Sequence, residues 1–264
     1  MQNVSLHLLP FQRSGSGPIL VLVHGYLGGS EQWASELANL SSFFDVIAVD
    51  LAGYGNAQAL QAPKDMAQHA TAVLDTLSEL GVNRFHLLGH SMGGMVVQQM
   101  VHQAPQRIDR LVLYGTGPLG LIPGRFETMS RSRERLAADG LECTARRISA
   151  MWLLEREASS AYETVASLAC KASPQAAEAG LWAMESWDGR NWLPAVQQTT
   201  LVIWGEHDRS YAWPQVEALW RGIKGASLAV VPACSHCVHL ERPEIFQSLI
   251  REFLVAPLHS MVPS

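Results

Sequence analysis

One serine stands where an apolar strand has to turn sharply into a helix. The strand reads Arg84-Phe85-His86-Leu87-Leu88, the turn Gly89-His90-Ser91-Met92-Gly93-Gly94, and helical spacing continues from Met92 to about residue 104. A Gly-x-Ser-x-Gly run in that context constrains the fold strongly. The serine is forced toward an unfavourable backbone conformation, and small residues on either side let strand and helix pass closely. Such a turn lifts the hydroxyl into a cleft and aims the first N–H groups of the helix at any negative charge beside it.

A serine hydroxyl is a poor nucleophile at neutral pH, so the turn predicts a base and an orienting acid elsewhere. Leu201-Val202-Ile203-Trp204-Gly205-Glu206-His207-Asp208 reads as a buried strand whose following turn presents Asp208. Leu228-Ala229-Val230-Val231-Pro232 reads as the next strand, followed by a loop carrying His236. The chain order Ser, Asp, His is the one an elbow of this kind uses, and strand ends are where an open α/β sheet gathers its functional groups. The expected roles follow. Ser91 attacks a carbonyl, His236 takes and returns the proton, and Asp208 fixes the imidazole tautomer. A further strand, residues 18–23, runs into His24-Gly25-Tyr26-Leu27-Gly28-Gly29. The backbone N–H groups of Tyr26 and Met92 are the expected oxyanion hole, with His24 as a support for the loop.

Strands and helices alternate through the first half, each strand a near-continuous apolar run, which predicts an α/β fold with a mostly parallel sheet covered on both faces. Strands are expected at 4–9, 11–13, 18–23, 44–50, 84–88 and 108–114. Helices are expected at 31–40 with Ser30 as cap, and at 63–80 with Pro63 in the first turn and Gly81 as the stop. After the sixth of these strands the alternation ends. Residues 119–196 carry only amphipathic segments (125–138, 142–155, 159–170 and 174–185), read as a helical lid inserted between core parts 1–118 and 197–264. Its Trp152, Trp182, Trp187 and Met129 are the candidate substrate-binding side chains and imply a largely apolar pocket.

Composition excludes several function classes. The net charge is −5 without a Lys/Arg run, which argues against nucleic acid as a partner. The start, Met1-Gln2-Asn3-Val4-Ser5-Leu6-His7, lacks the pattern of a signal peptide, and no apolar run is long enough to span a bilayer. Cys143, Cys170, Cys234 and Cys237 show no framework spacing, so reduced thiols in a cytoplasmic protein are expected, with no metal and no cofactor. Cys237, next to His236, reads as a buried, inert small hydrophobe or, alternatively, as a partly accessible thiol whose pKa a nearby imidazolium would lower.

With these motifs in place, the chain resembles the α/β-hydrolase fold superfamily, in its branch of small lidded serine hydrolases. The His24-Gly25 strand end, the Asp50-Leu51-Ala52-Gly53-Tyr54-Gly55 loop, the elbow, Asp208, and His236 followed by His239-Leu240-Glu241-Arg242-Pro243 carry the likeness. It implies a serine hydrolase acting on a small, rather apolar carboxylic ester or (enol-)lactone through an acyl-enzyme, with a small-molecule substrate as its partner. It leaves homo-oligomers open. The alternatives are hydrolysis of a carbon–carbon bond in a ring-cleavage product, and a non-catalytic receptor of the same fold. Ser91 disfavours the branches with an aspartate at the elbow, while His90 and Cys237 stand where carbon–carbon hydrolases typically carry Asn and Trp. Asp50 and Tyr54 are expected to be structural. Arg131, Arg133, Arg135, Arg146 and Arg147 read as a solvated helix face or, alternatively, as a clamp for a substrate carboxylate.

Overall fold

The computed structural model describes residues 8–121 and 127–256. The strand expected at 4–9 and the start of the first lid segment fall largely outside that range. Seven strands form one sheet: β1 (Phe11–Gly15), β2 (Ile19–Val23), β3 (Asp45–Val49), β4 (Phe85–His90), β5 (Ile108–Tyr114), β6 (Thr199–Gly205) and β7 (Ser227–Val231), in the order β1-β3-β2-β4-β5-β6-β7. Only β1 runs antiparallel, against β3; every other pairing is parallel. The helical excursion therefore follows the fifth described strand rather than the sixth.

The interior strands are apolar along their length because both faces are covered. Leu20, Leu22, Val46, Ala48, Leu88 and Val112 point to one side, where they pack with Trp33, Phe44, Phe246 and Ile250. Val21, Val23, Ile47, Val49, Leu87 and Leu113 point to the other and meet Val73, Leu77, Met95 and Val96. The period of two along each strand sorts the side chains into these two cores.

The flanking helices show where local signals hold and where they yield. Residues Ser30–Trp33 form a 3₁₀ turn before α1 (Ala34–Leu40). Ser30 does not cap it. Its hydroxyl donates to Asp50 Oδ2 at 2.9 Å and its N–H to Oδ1 at 2.7 Å, which ties α1 to the end of β3. The next helix, α2 (Met66–Glu79), starts after Pro63, because Asp65 accepts from the Gln68 N–H and sets the boundary. Gly81 stops it as expected. With φ of +71°, Gly81 donates to Ser78 O at 3.0 Å, and Val82 donates to Leu77 O at 2.8 Å, a Schellman closure. The elbow helix is α3 (Met92–Gln103).

Between β5 and β6 the described residues contain α4 (Met129–Met151), α5 (Tyr162–Ala169) and α6 (Pro174–Glu185), with one isolated bridge, Leu119 to Asp188, and no strand. Gly140, at φ 77° and ψ 172°, breaks α4 into two helical pieces, close to the boundary expected between residues 138 and 142. Small residues let α6 sit tightly on the core. Tyr26 and Tyr54 donate their hydroxyls to Ala177 O and Ala176 O, each at 2.8 Å. After β6 come α7 (Trp213–Gly222), the short α8 (Val238–Glu241) and α9 (Pro243–Val255). No helix of the described residues is long and apolar enough to cross a membrane.

Candidate active site

Parallel strands end on one edge of the sheet, and the loops after β2, β4, β6 and β7 meet there. Ser91 follows β4 with φ 56° and ψ −120°, left-handed backbone that a side chain rarely adopts. Its surroundings hold it there. The Ser91 N–H donates to Tyr114 O at 3.0 Å, and its carbonyl accepts from Thr116 Oγ1 at 2.7 Å and from the Gly94 N–H at 2.9 Å. The elbow glycines answer to close approach. A Cβ on Gly93 would lie 2.4 Å from the carbonyl oxygens of Val23 and His24, and one on Gly25 would lie 2.9 Å from Ser91 Cβ.

The other two expected residues are joined. His236 Nδ1 lies 2.8 Å from Asp208 Oδ2, and both side chains are buried. Asp208 Oδ1 is occupied by the N–H groups of Ser210 at 2.7 Å and Tyr211 at 3.2 Å. A carboxylate so held receives Nδ1–H and leaves Nε2 with its lone pair. The His236 carbonyl accepts from the Tyr114 hydroxyl at 2.8 Å and faces His90 Nε2 at 3.2 Å. The rings of His90 and Tyr211 lie 4.6 Å and 5.8 Å from the His236 ring.

Ser91, His236 and Tyr26 all line one cavity of about 220 Å³, walled mainly by Leu27, Trp152, Val165, Leu168 and Leu240, with Gln32 and Thr164 among its polar groups. Met92, directly after Ser91, is the first residue of α3, so its N–H belongs to the first turn, which has no acceptor within the helix. His24 supports the neighbouring loop. Its Nδ1–H donates to Gly25 O at 2.8 Å while Nε2 accepts from the Leu51 N–H at 2.9 Å. Burial lowers its pKa and keeps it neutral. Asp50 and Tyr54 are spent on structural hydrogen bonds, as expected.

Of the four lid candidates, Trp152 alone reaches this cavity. Met129 is buried in the core instead, Trp187 packs edge-on against Trp192 at 5.3 Å, and Trp182 is 42% exposed under the Arg133 guanidinium. The reason is the face that α6 turns inward: Ala176, Ala177, Ala179 and Ala183 pack on the core, which sends Trp182 outward. The wall comes from α5 through Thr164, Val165 and Leu168. The spacing of Val165 and Leu168 was the available signal, but a short apolar stripe does not say what it faces.

For Cys237 the structure agrees with the reading as a buried thiol and not with the accessible one. Its thiol pKa lies well above the ordinary value, first from burial and then from Glu241 and Asp208. Cys234 is pushed up to about 12 by the same burial. The arginines pair within the helical insertion, Arg133 with Glu185 at 2.8 Å, Arg135 and Arg147 with the buried Glu127, Arg131 with Glu134 and Arg146 with Glu163, so they form no substrate clamp. Among the described residues no group of three His, Cys, Asp or Glu side chains could hold a metal ion.

This arrangement can be set beside known proteins. The alpha/beta hydrolase fold family matches residues 18–243. An uncharacterized protein of Mycobacterium tuberculosis is 40% identical over 107 residues, which is 40% of this chain but only 31% of that protein, so the match spans about a third of that relative's length. A 2-hydroxy-6-oxo-6-phenylhexa-2,4-dienoate hydrolase of Comamonas testosteroni is 26% identical over 96% of this chain and 93% of its own. Among solved structures, a thermophilic esterase from Thermogutta terrifontis superposes with a TM-score of 0.85 at 27% identity, covering 93% of this chain and 92% of that one.

Proposed function

The chain belongs to the alpha/beta hydrolase fold family, and from that premise we propose that it is a serine hydrolase of small, rather apolar carboxylic esters or lactones. The observation that carries this reading is the 2.8 Å contact between Asp208 and His236 at a cavity that Ser91 also lines. In this mechanism His236 Nε2 takes the Ser91 hydroxyl proton as Oγ adds to the carbonyl carbon. The N–H groups of Tyr26 and Met92 hold the resulting oxyanion. The imidazolium, steadied by Asp208, gives its proton to the departing alkoxide, and the acyl group stays on Ser91. A water activated by His236 then adds to the acyl carbon and releases the acid.

Two properties of the cavity support the substrate class. A cavity of about 220 Å³ walled mostly by apolar side chains suits a small, rather apolar substrate. Its lining residues include no lysine or arginine, so a substrate carboxylate would enter without a compensating cation, at a cost of several kcal/mol. That favours neutral esters and lactones over an anionic dienoate. The four unpaired thiols suit a reducing compartment, and we propose the cytoplasm.

The test is a panel of p-nitrophenyl acetate, butyrate and octanoate, small lactones and a ring-cleavage dienoate, run on the parent and on Ser91→Ala. The expected result is saturable turnover of short neutral esters or lactones, with kcat reduced by roughly 10⁶ in Ser91→Ala. Preferential turnover of the dienoate would replace the ester reading, and undiminished activity in folded Ser91→Ala would end the mechanism.

A further inference from the structure

The two loops that carry Asp208 and His236 are joined to each other through a third element, residues 152–154, where α4 ends. Trp152 O accepts from the N–H of His236 at 3.0 Å and of Cys237 at 3.3 Å. Leu153 O and Leu154 O accept from the two terminal nitrogens of Arg209, at 2.9 Å and 3.2 Å. The Glu241 carboxylate spans the junction, with Oε1 accepting from the Leu154 N–H and Oε2 from the Ser235 N–H, each at 2.7 Å. Arg209 directly follows Asp208, and Ser235 directly precedes His236.

We propose that Arg209 and Glu241 are positioning residues that use residues 152–154 of the helical insertion as a splint for both loops. The inference rests on the reading of His236 as general base and Asp208 as its partner. Its physical basis is hydrogen-bond satisfaction. Backbone carbonyls in the turn just beyond a helix need donors, and here the Arg209 fork and the His236 loop supply them, with the Arg156 N–H also donating to Leu153 O at 3.2 Å. The N–H groups of Ser235, His236 and Cys237 in turn find acceptors on Glu241 and the insertion. Ala233, two residues before Ser235, sits at φ 51°, so this loop is held away from relaxed backbone. Glu241 and Arg209 thereby convert the seating of the insertion into the distance between Asp208 and His236. The ring of Trp152 lines the cavity from the same turn, so the substrate presses on the splint itself.

The insertion has other anchors that touch neither loop, and these provide the control. Tyr54 donates to Ala176 O across the core–insertion junction, far along the chain from residues 152–154. Arg209→Met, Arg209→Lys, Glu241→Gln, the Arg209→Met/Glu241→Gln double variant and Tyr54→Phe are compared by kcat and KM for p-nitrophenyl butyrate. The far-downfield proton resonance of the His236–Asp208 hydrogen bond is recorded for each. Misplacement of reacting groups by about 1 Å can cost on the order of 100-fold. Arg209→Met and Glu241→Gln are expected to lower kcat ~10–100-fold with KM changed less than about threefold, and to weaken the resonance. Arg209→Lys should recover part of kcat, and the double variant should lose less than the product of the single losses. Tyr54→Phe should leave kcat and the resonance unchanged. Loss of kcat no greater than in Tyr54→Phe, or an undisturbed resonance in Arg209→Met and Glu241→Gln, would overturn the proposal. Ser91→Ala keeps the two failures apart: activity retained there removes the serine mechanism, whereas the resonance still reports on the splint.

Discussion

Individual residues pay a conformational or electrostatic cost at this edge of the sheet, and the cost identifies them. Ser91 at φ 56° is the plainest case, and the strand–turn–helix context made it visible in sequence. Asp208 and His236 were equally legible, since each lies in the loop that follows a readable strand. Glu36 was not. It lies on α1 with its side chain fully buried, Oε1 accepting from Gln247 Nε2 at 3.3 Å. Burial raises its pKa from 4.5 to about 7, and the Gln247 hydrogen bond opposes the rise. A raised acid pKa contributes stability that is fully present below the unfolded value and is lost as pH rises through the folded one. Between about pH 4.5 and 7 the parent should therefore lose up to about 3 kcal/mol at this site. Glu36→Gln removes that titration. Urea denaturation at about pH 5 and pH 8 should show the variant gaining on the parent at the higher pH; an equal difference at both values would refute the assignment.

At the scale of elements, periodicity revealed that α4, α5 and α6 exist but not how they are rotated. The alanine face of α6 decided that Trp182 lies outside, and only the packed structure shows which apolar stripe is covered. Ser30 and Pro63 misled for a related reason: a good cap or first-turn residue yields when a neighbour offers a better bond, Asp50 to Ser30 and Asp65 to the start of α2. The corrected pocket makes a differential prediction. Trp152→Ala enlarges the cavity and should shift kcat/KM toward longer acyl chains by about tenfold, the scale of a few kcal/mol or less that an apolar pocket commands. Trp182→Ala should leave the ratio for butyrate against octanoate where it was. A shift in Trp182→Ala equal to that in Trp152→Ala would reject the lining deduced from the structure.

Across the whole molecule, buried neutral imidazoles set the acid limit. His24 and His90 titrate below the ordinary 6.5, His69 near 4 and His239 near 3, each chiefly because burial disfavours the charged form. For a base with a depressed folded pKa, the unfolded chain takes up the proton first. The stability is present above 6.5 and is lost as pH falls toward the folded values. At about 1.4 kcal/mol per unit for each group, His69 and His239 together give a slope of roughly 3 kcal/mol per pH unit below about pH 5.5, and His24 and His90 act in the same direction. Set against a total of about 5–15 kcal/mol, such a slope should remove a large share of the stability within roughly two units. Denaturation curves at about pH 7, 6 and 5 check this, and a stability that stays flat over that range would contradict it.

The order of the strands also governs assembly. β5 pairs with β6 across the whole helical insertion, whereas β1 to β5 pair within the first 114 residues. As the chain leaves the ribosome, the serine elbow and Tyr26 can settle into a five-stranded sheet while the partners of Ser91 are still unmade. β5 then waits as an unpaired apolar edge, open to other chains, until the insertion has been synthesised and β6 arrives. The late strands bring Asp208 and His236 together, so the contact proposed to activate Ser91 is the last part of the site the chain can complete.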